Sequence, residues 1–420
     1  MKQLFIERLG HRGEGVSRDG DRRVFVPYAL AGETVAAEIA GDHACLLEII
    51  EPSPDRIAPI CPYYTHCGGC AVQALASEAY AQWKRGLVEA ALRNAGLSLD
   101  LGPLVDAHGA GRRRATFHAR MDRGRARVGF MAARSHEIVE IEACPLLAPE
   151  LAGALPAARA LAQILAARGK PLDLWFTATL DGMDVDLRGA GPLEEHETGA
   201  LIAAAERHDL ARLSNHGRLV TLRRPPMIAV GAARVPLPPS AFLQATQAGE
   251  AAIAARVVEA ATGARRVADL FCGVGAFALR LAENARVAAY DSAADAVEAM
   301  MAGARGATGL RPLEGAVRDL FTRPLTGQEL ASFDVVVFDP PRAGAMAQAK
   351  ELAQSKVNTV IAVSCSAQSF ARDASILLSG GYSARNLTPI DQFRFSPHVE
   401  IVAVFSRETA RGGAKRRLLG

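Results

Sequence analysis

From about residue 240 the chain repeats one rhythm, a short apolar run followed by a helical one, and this order constrains the fold more than any other feature. The apolar runs are Arg266 to Phe271, Arg286 to Tyr290, Leu310 to Leu313, Asp334 to Phe338 and Thr359 to Ser364. Helical runs such as Ala276 to Asn284 and Ala293 to Ala302 separate them. Strands joined through helices run parallel, because each helix carries the chain back to the edge where the last strand began. The expected fold class is therefore α/β, with a doubly wound parallel sheet. The final pair, Arg385 to Ile390 and Val399 to Phe405, has no helix between its members and reads as an antiparallel hairpin added at the sheet edge.

The first 239 residues follow other patterns. Leu4-Phe5-Ile6, Val24-Phe25-Val26, Val35 to Ile39 and Leu46 to Ile50, with glycines between them, read as the strands of a small β-barrel. Glu51-Pro52-Ser53-Pro54 then favours an extended linker. The middle is mixed α+β. Helices are expected over Leu75 to Asn94, Glu150 to Arg168 and Glu194 to His208, and strands over Arg114 to Arg120, Arg125 to Met131, Glu137 to Glu142, Leu172 to Leu180 and Met183 to Leu187. Asp181-Gly182 is a hairpin turn between the last two. The expected domains are residues 1–52, 53–239 and 240–420, as a chain too long for one core requires.

Half of the residues are hydrophobic and 22% are charged, which excludes a largely disordered chain. No apolar run approaches the roughly 20 residues that span a bilayer. Charge also appears early, at Lys2, Glu7 and Arg8, so a soluble, cytoplasmic, monomeric protein with no membrane partner is expected. The formal net charge is only +3, but the basic residues are clustered. Arg112, Arg113, Arg114, Arg120, Arg123, Arg125, Arg127 and Arg134 crowd one stretch against a single Asp122, and Arg411, Lys415, Arg416 and Arg417 form a basic tail. Such a cluster suits a polyanion such as nucleic acid, or else is a solvated face.

The cysteines, Cys45, Cys61, Cys67, Cys70, Cys144, Cys272 and Cys365, are odd in number and unevenly spaced, unlike a disulfide framework. Cys61, Cys67, Cys70 and Cys144 offer four thiolates, which suit either tetrahedral zinc or a four-iron cluster.

The first β-to-α junction reads Asp269-Leu270-Phe271-Cys272-Gly273-Val274-Gly275-Ala276. Its glycines let the main chain approach a ligand, and the helix that follows starts with free N–H groups. Asp291, eighteen residues after Gly273, can accept hydrogen bonds from both hydroxyls of a ribose. This much fits a nicotinamide dinucleotide as well as S-adenosylmethionine. Asp339-Pro340-Pro341-Arg342 after the fourth strand and Ser364-Cys365-Ser366 after the fifth separate the two. They put a carboxylate, a rigid loop and a thiol on the rim where open α/β sheets bind ligands.

Asp269 to Gly275, Asp339 to Arg342, Ser364 to Ser366 and Pro397-His398-Val399-Glu400, in that order, resemble the RNA 5-methyluridine methyltransferase family. The resemblance extends to Cys61, Cys67, Cys70 and Cys144, which look like that family's iron–sulfur site, and to residues 1–52, which are similar to its RNA-binding TRAM domain. It implies a class I methyltransferase sheet, S-adenosylmethionine and a [4Fe-4S] cluster as cofactors, and RNA as partner. By position it makes Cys365 the nucleophile and Glu400 the base. Gln244, Phe271, Gly273, Gly275, Ala276, Asp291, Asp319 and Asp339 would line the cofactor. Phe242 would meet the target base, with Arg112, Arg113 and Arg114 on the RNA. Barrel and cluster together point to 23S ribosomal RNA rather than transfer RNA.

The sequence departs from the family at Ala276 and Ser366, where Asn is usual, and at Asp291, where Glu is usual. His398 competes with Glu400 as the base. A nicotinamide-dependent oxidoreductase would leave Cys365 and Glu400 without a task. A non-catalytic iron–sulfur RNA-binding factor would tolerate loss of Cys365.

Overall fold

The β-then-α rhythm becomes one sheet whose strand order reverses beside its first strand. The hydrogen-bonded order is Leu313–Val317, Arg286–Asp291, Arg266–Leu270, Val335–Phe338, Thr359–Ser364, Glu400–Ser406 and Ser383–Asp391. The first five are parallel. Glu400–Ser406 runs antiparallel to Thr359–Ser364, so the hairpin joins the sheet with its last strand inside. Val335 to Phe338 and Val360 to Ser364 are buried along their length, as strands covered on both faces must be. Each large apolar side chain buried there contributes about 1.5–3 kcal/mol.

The computed structural model describes residues 1–407, so the basic tail lies outside the described residues. The chain divides into two compact units. The first comprises Met1–Ala90, Leu104–Ala252 and Ile390–Val399; the second comprises Ala91–Pro103, Ile253–Pro389 and the chain from Glu400 onward. Among the described residues no helix is long and apolar enough to cross a membrane.

In the first unit the N-terminal strands build the expected barrel-like element as one six-stranded sheet, with Lys2–Phe5 and Arg8–Leu9 at its edges. Leu4, Ile6, Val24, Val26, Val35 and Ala37 form its core. The mixed region is a seven-stranded sheet that includes Arg114–Asp122, Arg125–Met131, Leu172–Thr179 and Gly182–Arg188. Helices Ala154–Ile164 and Glu195–Arg207 share a core with it. Ala154, Ala157, Ala158, Leu161 and Ala162 are the buried stripe of the first helix, at the spacing one helical face requires.

Three expected ranges change. The strand expected at Leu310 to Leu313 is Leu313–Val317, because Pro312 has no N–H and contributes only its carbonyl, to Val287 N at 3.0 Å. The helix expected from Ala276 is only Ala278–Leu281, since positive φ angles at Phe271, Gly273 and Gly275 keep the preceding residues in a loop. The helix expected over Glu150 to Arg168 breaks into Pro149–Leu151, Ala154–Ile164 and Ala166–Arg168, with Gly153 at the first break.

Candidate active site

Cys365 stands one residue beyond Thr359–Ser364, and Glu400 opens the antiparallel neighbour. The last pair of the ladder is Ser364 with Ile401, and Cys365 and Glu400 are the residues that adjoin that pair, close enough for the Glu400 charge to act on the thiol. Glu400 is buried and Cys365 half-buried. Burial pushes the Cys365 thiol up to about 11; the negative charges of Glu400 and Asp339 act the same way, and the exposed Arg342 guanidinium opposes them.

Asp339 follows Val335–Phe338 on the same rim, where its N–H donates to Leu270 O at 3.3 Å. Burial pushes its carboxyl up to about 7. Asp269, wholly buried in the adjacent strand, is pushed well above the usual range by burial and then by Asp339. Neither of its oxygens makes a hydrogen bond of normal geometry, and only the Ala278 N–H favours its charge.

The glycine junction has two different reasons for its glycines. A Cβ on Gly275 would come 2.6 Å from Met300 Cγ, so close packing requires the glycine. At Gly273 a Cβ would meet nothing within 4 Å, which leaves open space beside the main chain. Asp291 Oδ2 accepts from Gly273 N at 2.8 Å and Oδ1 accepts from Ala293 N at 2.9 Å. The carboxylate thus braces the loop while each oxygen keeps a further acceptor position. Asp319 is held low by Thr322 Oγ1 at 2.9 Å and Phe321 N at 2.9 Å. Phe321 is exposed, with its ring 5.4 Å from that of Phe271. Ala276 is half-buried at the end of the junction.

No protein-family model matches the chain. An uncharacterized RNA methyltransferase of Brucella suis is 44% identical over 405 residues, covering 96% of this chain and 98% of the relative. A 23S rRNA (uracil(1939)-C(5))-methyltransferase of Chromohalobacter salexigens is 34% identical, covering 97% of this chain and 90% of the relative. The chain belongs to the RNA uracil-C5 methyltransferase family. A solved tRNA (uracil-54, C5)-methyltransferase of Pyrococcus abyssi, in complex with S-adenosyl-L-homocysteine, shares its fold. The match has a TM-score of 0.72 at 20% identity, over 96% of this chain and 100% of that one.

Other expected site residues of the methyltransferase lie in the first unit. Gln244 is buried, and its Oε1 accepts from Gln392 Nε2 at 2.5 Å. Phe242 is 69% exposed, with the Arg114 guanidinium 5.3 Å from its ring centre. Arg114 also donates to Leu243 O at 2.7 Å, while Arg113 donates to Gln244 O at 3.0 Å and pairs with Glu250 at 2.5 Å. Arg112 lies over Phe393 at 5.9 Å. Elsewhere in the cluster, Arg125 and Arg127 pair with Glu140, and Arg134 with Glu14. Carboxylates distant in sequence therefore neutralise part of the charge counted along the chain.

Cys61, Cys67, Cys70 and Cys144 line one cavity of about 490 Å³, shared with Arg112, Arg114 and Phe242. Gly68 N donates to Met131 O at 2.9 Å, and a Cβ there would come 2.9 Å from Ala133 N, so the cysteine loop lies against the strand Arg125–Met131. Burial raises Cys67 and Cys144 and pushes Cys70 up to about 11. Among the described residues no three His, Cys, Asp or Glu side chains are grouped to hold a single metal ion.

Sequence reasoning passed over Lys84, Tyr80, His108 and Asp391. Asp391 Oδ1 accepts from Lys84 Nζ at 2.8 Å, and Oδ2 accepts from Tyr80 Oη at 2.5 Å and faces His108 Nε2 at 2.8 Å. No local motif marks this network, because its members are up to 311 residues apart.

Proposed function

We propose that the chain methylates C5 of a uridine in RNA, with 23S ribosomal RNA as the substrate, through a covalent adduct between Cys365 and C6 of the uracil ring. The observation that supports this reading is that Cys365 and the buried Glu400 adjoin the last pair of one strand ladder, with the Glu400 charge acting on the thiol. Uracil C5 is a poor nucleophile until a thiolate adds to C6 and places electron density at C5. S-adenosylmethionine, when bound, supplies an electrophilic methyl group to that carbon. Glu400 then takes the C5 proton, the C5–C6 double bond re-forms, and the Cys365 thiolate leaves. A carboxylate within reach of the C5 proton can serve as that base.

The residues on the rim fit S-adenosylmethionine. Gly273 leaves main chain open to a ligand, Asp291 and Asp319 offer acceptors for hydroxyl and amino groups, and Phe271 and Phe321 present apolar rings. The four thiols that line one cavity are a soft donor set, and the family resemblance favours a [4Fe-4S] cluster on them rather than zinc. In this reading Cys61, Cys67, Cys70 and Cys144 hold the cluster in a structural role. Residues 1–52, as a TRAM-like element, and Arg112, Arg113 and Arg114 grip RNA phosphates, while Phe242 offers a stacking surface to an unpaired base.

The test is incubation of the cluster-loaded protein with methyl-labelled S-adenosylmethionine and separate pools of unmodified 23S ribosomal RNA and transfer RNA. Label recovered as 5-methyluridine from the ribosomal pool is the expected result. Label from the transfer RNA pool alone would move the substrate, and label on another nucleoside would overturn the Cys365 chemistry.

A further inference from the structure

The ammonium of Lys84 is fully buried and uses its three N–H donors on one short segment. It donates to Asp391 Oδ1 at 2.8 Å, to Phe393 O at 3.1 Å and to His398 O at 2.5 Å. Asp391, its ion-pair partner, accepts from Phe393 N at 3.0 Å and from Tyr80 Oη at 2.5 Å, and His108 Nε2 lies 2.8 Å away. Tyr80 and Lys84 are four residues apart on helix Ser77–Asn94, hence on one face, and Tyr80 Oη also accepts from Phe395 N at 2.9 Å. A single helix face thereby grips residues 391, 393, 395 and 398, and the chain reaches Glu400 two residues later.

A buried lysine is costly, since its charge must be removed from water, and an apolar residue of similar volume would fill the same space. Packing alone does not account for an ammonium whose acceptors lie at both ends of one turn.

We propose that Lys84 is a positioning residue for the proton-abstraction step: it fixes the turn from Asp391 to His398 and thereby the approach of Glu400 to the C5 proton. This rests on the roles proposed above for Cys365 and Glu400. In the step concerned, the Glu400 carboxylate takes the C5 proton, the C–H electron pair becomes the C5–C6 π bond, and the C6–S bond breaks to release the thiolate. Loss of Lys84 takes the ammonium from the Phe393 and His398 carbonyls and from one oxygen of Asp391, and with it the contact that ties the two ends of the turn together.

The experiment compares two RNA substrates with the full-length, cluster-loaded protein. RNA carrying 5-fluorouridine at the target has no C5 proton, so its adduct reports thiolate addition and methyl transfer without the base. Ordinary RNA reports the complete cycle. The variants are Lys84→Met and Lys84→Met/Asp391→Asn; the second removes both charges and keeps the fold if the first does not. The expected result is turnover on ordinary RNA reduced roughly tenfold or more, with adduct formation on 5-fluorouridine RNA changed less than about threefold and a methylated Cys365 adduct accumulating on ordinary RNA. Equal losses on both substrates, or no loss of turnover, would overturn the proposal. If the unmodified protein forms no adduct with 5-fluorouridine RNA, the Cys365 reading fails first and takes this one with it.

Discussion

Two groups of buried carboxylates are treated in opposite ways. In the first unit Asp391 is buried, yet hydrogen bonds and charge from His108, Lys84 and Tyr80 overcome the burial cost and hold its carboxyl down at about 2. In the second unit burial pushes both Asp339 and Asp269 up, Asp339 to about 7. A carboxylate wrapped in donors is locked in one protonation state and serves as an anchor. Carboxylates pushed up by burial on a strand rim are suited to meet a ligand, because a bound cation or donor favours their charged form. In the Arg-rich stretch only the pair of Arg113 with Glu250 is buried in this way; Arg125 and Arg127 meet Glu140 at the surface.

The sharpest way to break this comparison is to remove the reacting groups of the rim. Cys365→Ala is expected to lower turnover by on the order of 10⁴-fold or more while the protein still folds, as for loss of a nucleophile. Glu400→Gln should stop later, with the methylated adduct formed but not released. Denaturing gels of protein with labelled RNA separate the two outcomes. If Cys365→Ala retained turnover, the rim would not be a nucleophilic site and the contrast with Asp391 would lose its meaning.

Much of this rim was legible in the sequence because its parts are local. Asp339-Pro340-Pro341 and Ser364-Cys365-Ser366 each follow an apolar strand, and the parallel fold brings all strand ends to one edge. The nearness of Cys365 and Glu400 was not legible as geometry, since it depends on how two strands separated by 35 residues pair up to Ser364 and Ile401. The Lys84 network was invisible for a related reason: a lysine within an amphipathic helix reads as solvated, and only tertiary structure buries it. The ion pairs of the Arg cluster were not legible, because counting along the chain omits Glu14, Glu140 and Glu250, which fold back onto it. Leu310 to Leu313 was misplaced for a local reason, the missing N–H of Pro312.

The next largest effect falls on stability. Asp391→Ala removes the acceptor shared by Lys84, Tyr80 and Phe393 N, and with it the charge that favours the Lys84 ammonium, which burial already pushes down to about 8; the loss costs about 3 kcal/mol, read as a shift in the midpoint of a urea melt. The intact protein should also show the linkage. A carboxyl held below its unfolded value contributes stability that is present above about pH 4 and is lost as pH falls towards about 2. Asp391→Asn should flatten the stability curve over that acid window. Asp339 has the opposite sign: its folded carboxyl keeps a proton that the unfolded chain has released, so its contribution falls as pH rises from about 4 to about 7. Asp339→Asn should remove that decline and raise the melting temperature at pH 8 by a few degrees while impairing methyl transfer. An unchanged pH profile in either variant would show that the two carboxylates are not the opposites described.

The smallest effect tests whether the rim's charges reach the thiol. Cys365 is raised by burial first and then by Glu400 and Asp339, with Arg342 the one named charge that favours the thiolate. Because Arg342 is exposed, water screens its influence to about 0.2–1 kcal/mol. Arg342→Ala should therefore slow alkylation of Cys365 by iodoacetamide at pH 8 by no more than about two- to fivefold. Site-resolved mass spectrometry gives the rate, with the exposed Cys45 as an internal standard that the substitution leaves unchanged. Asp339→Asn should move the same rate upward, since it removes a charge that disfavours the thiolate. Opposite shifts in the two variants would establish that the thiol senses both charges. If both rates stayed equal to that of the unmodified protein, burial alone would set the thiol, and the rim would differ from the Asp391 network in solvation rather than in charge.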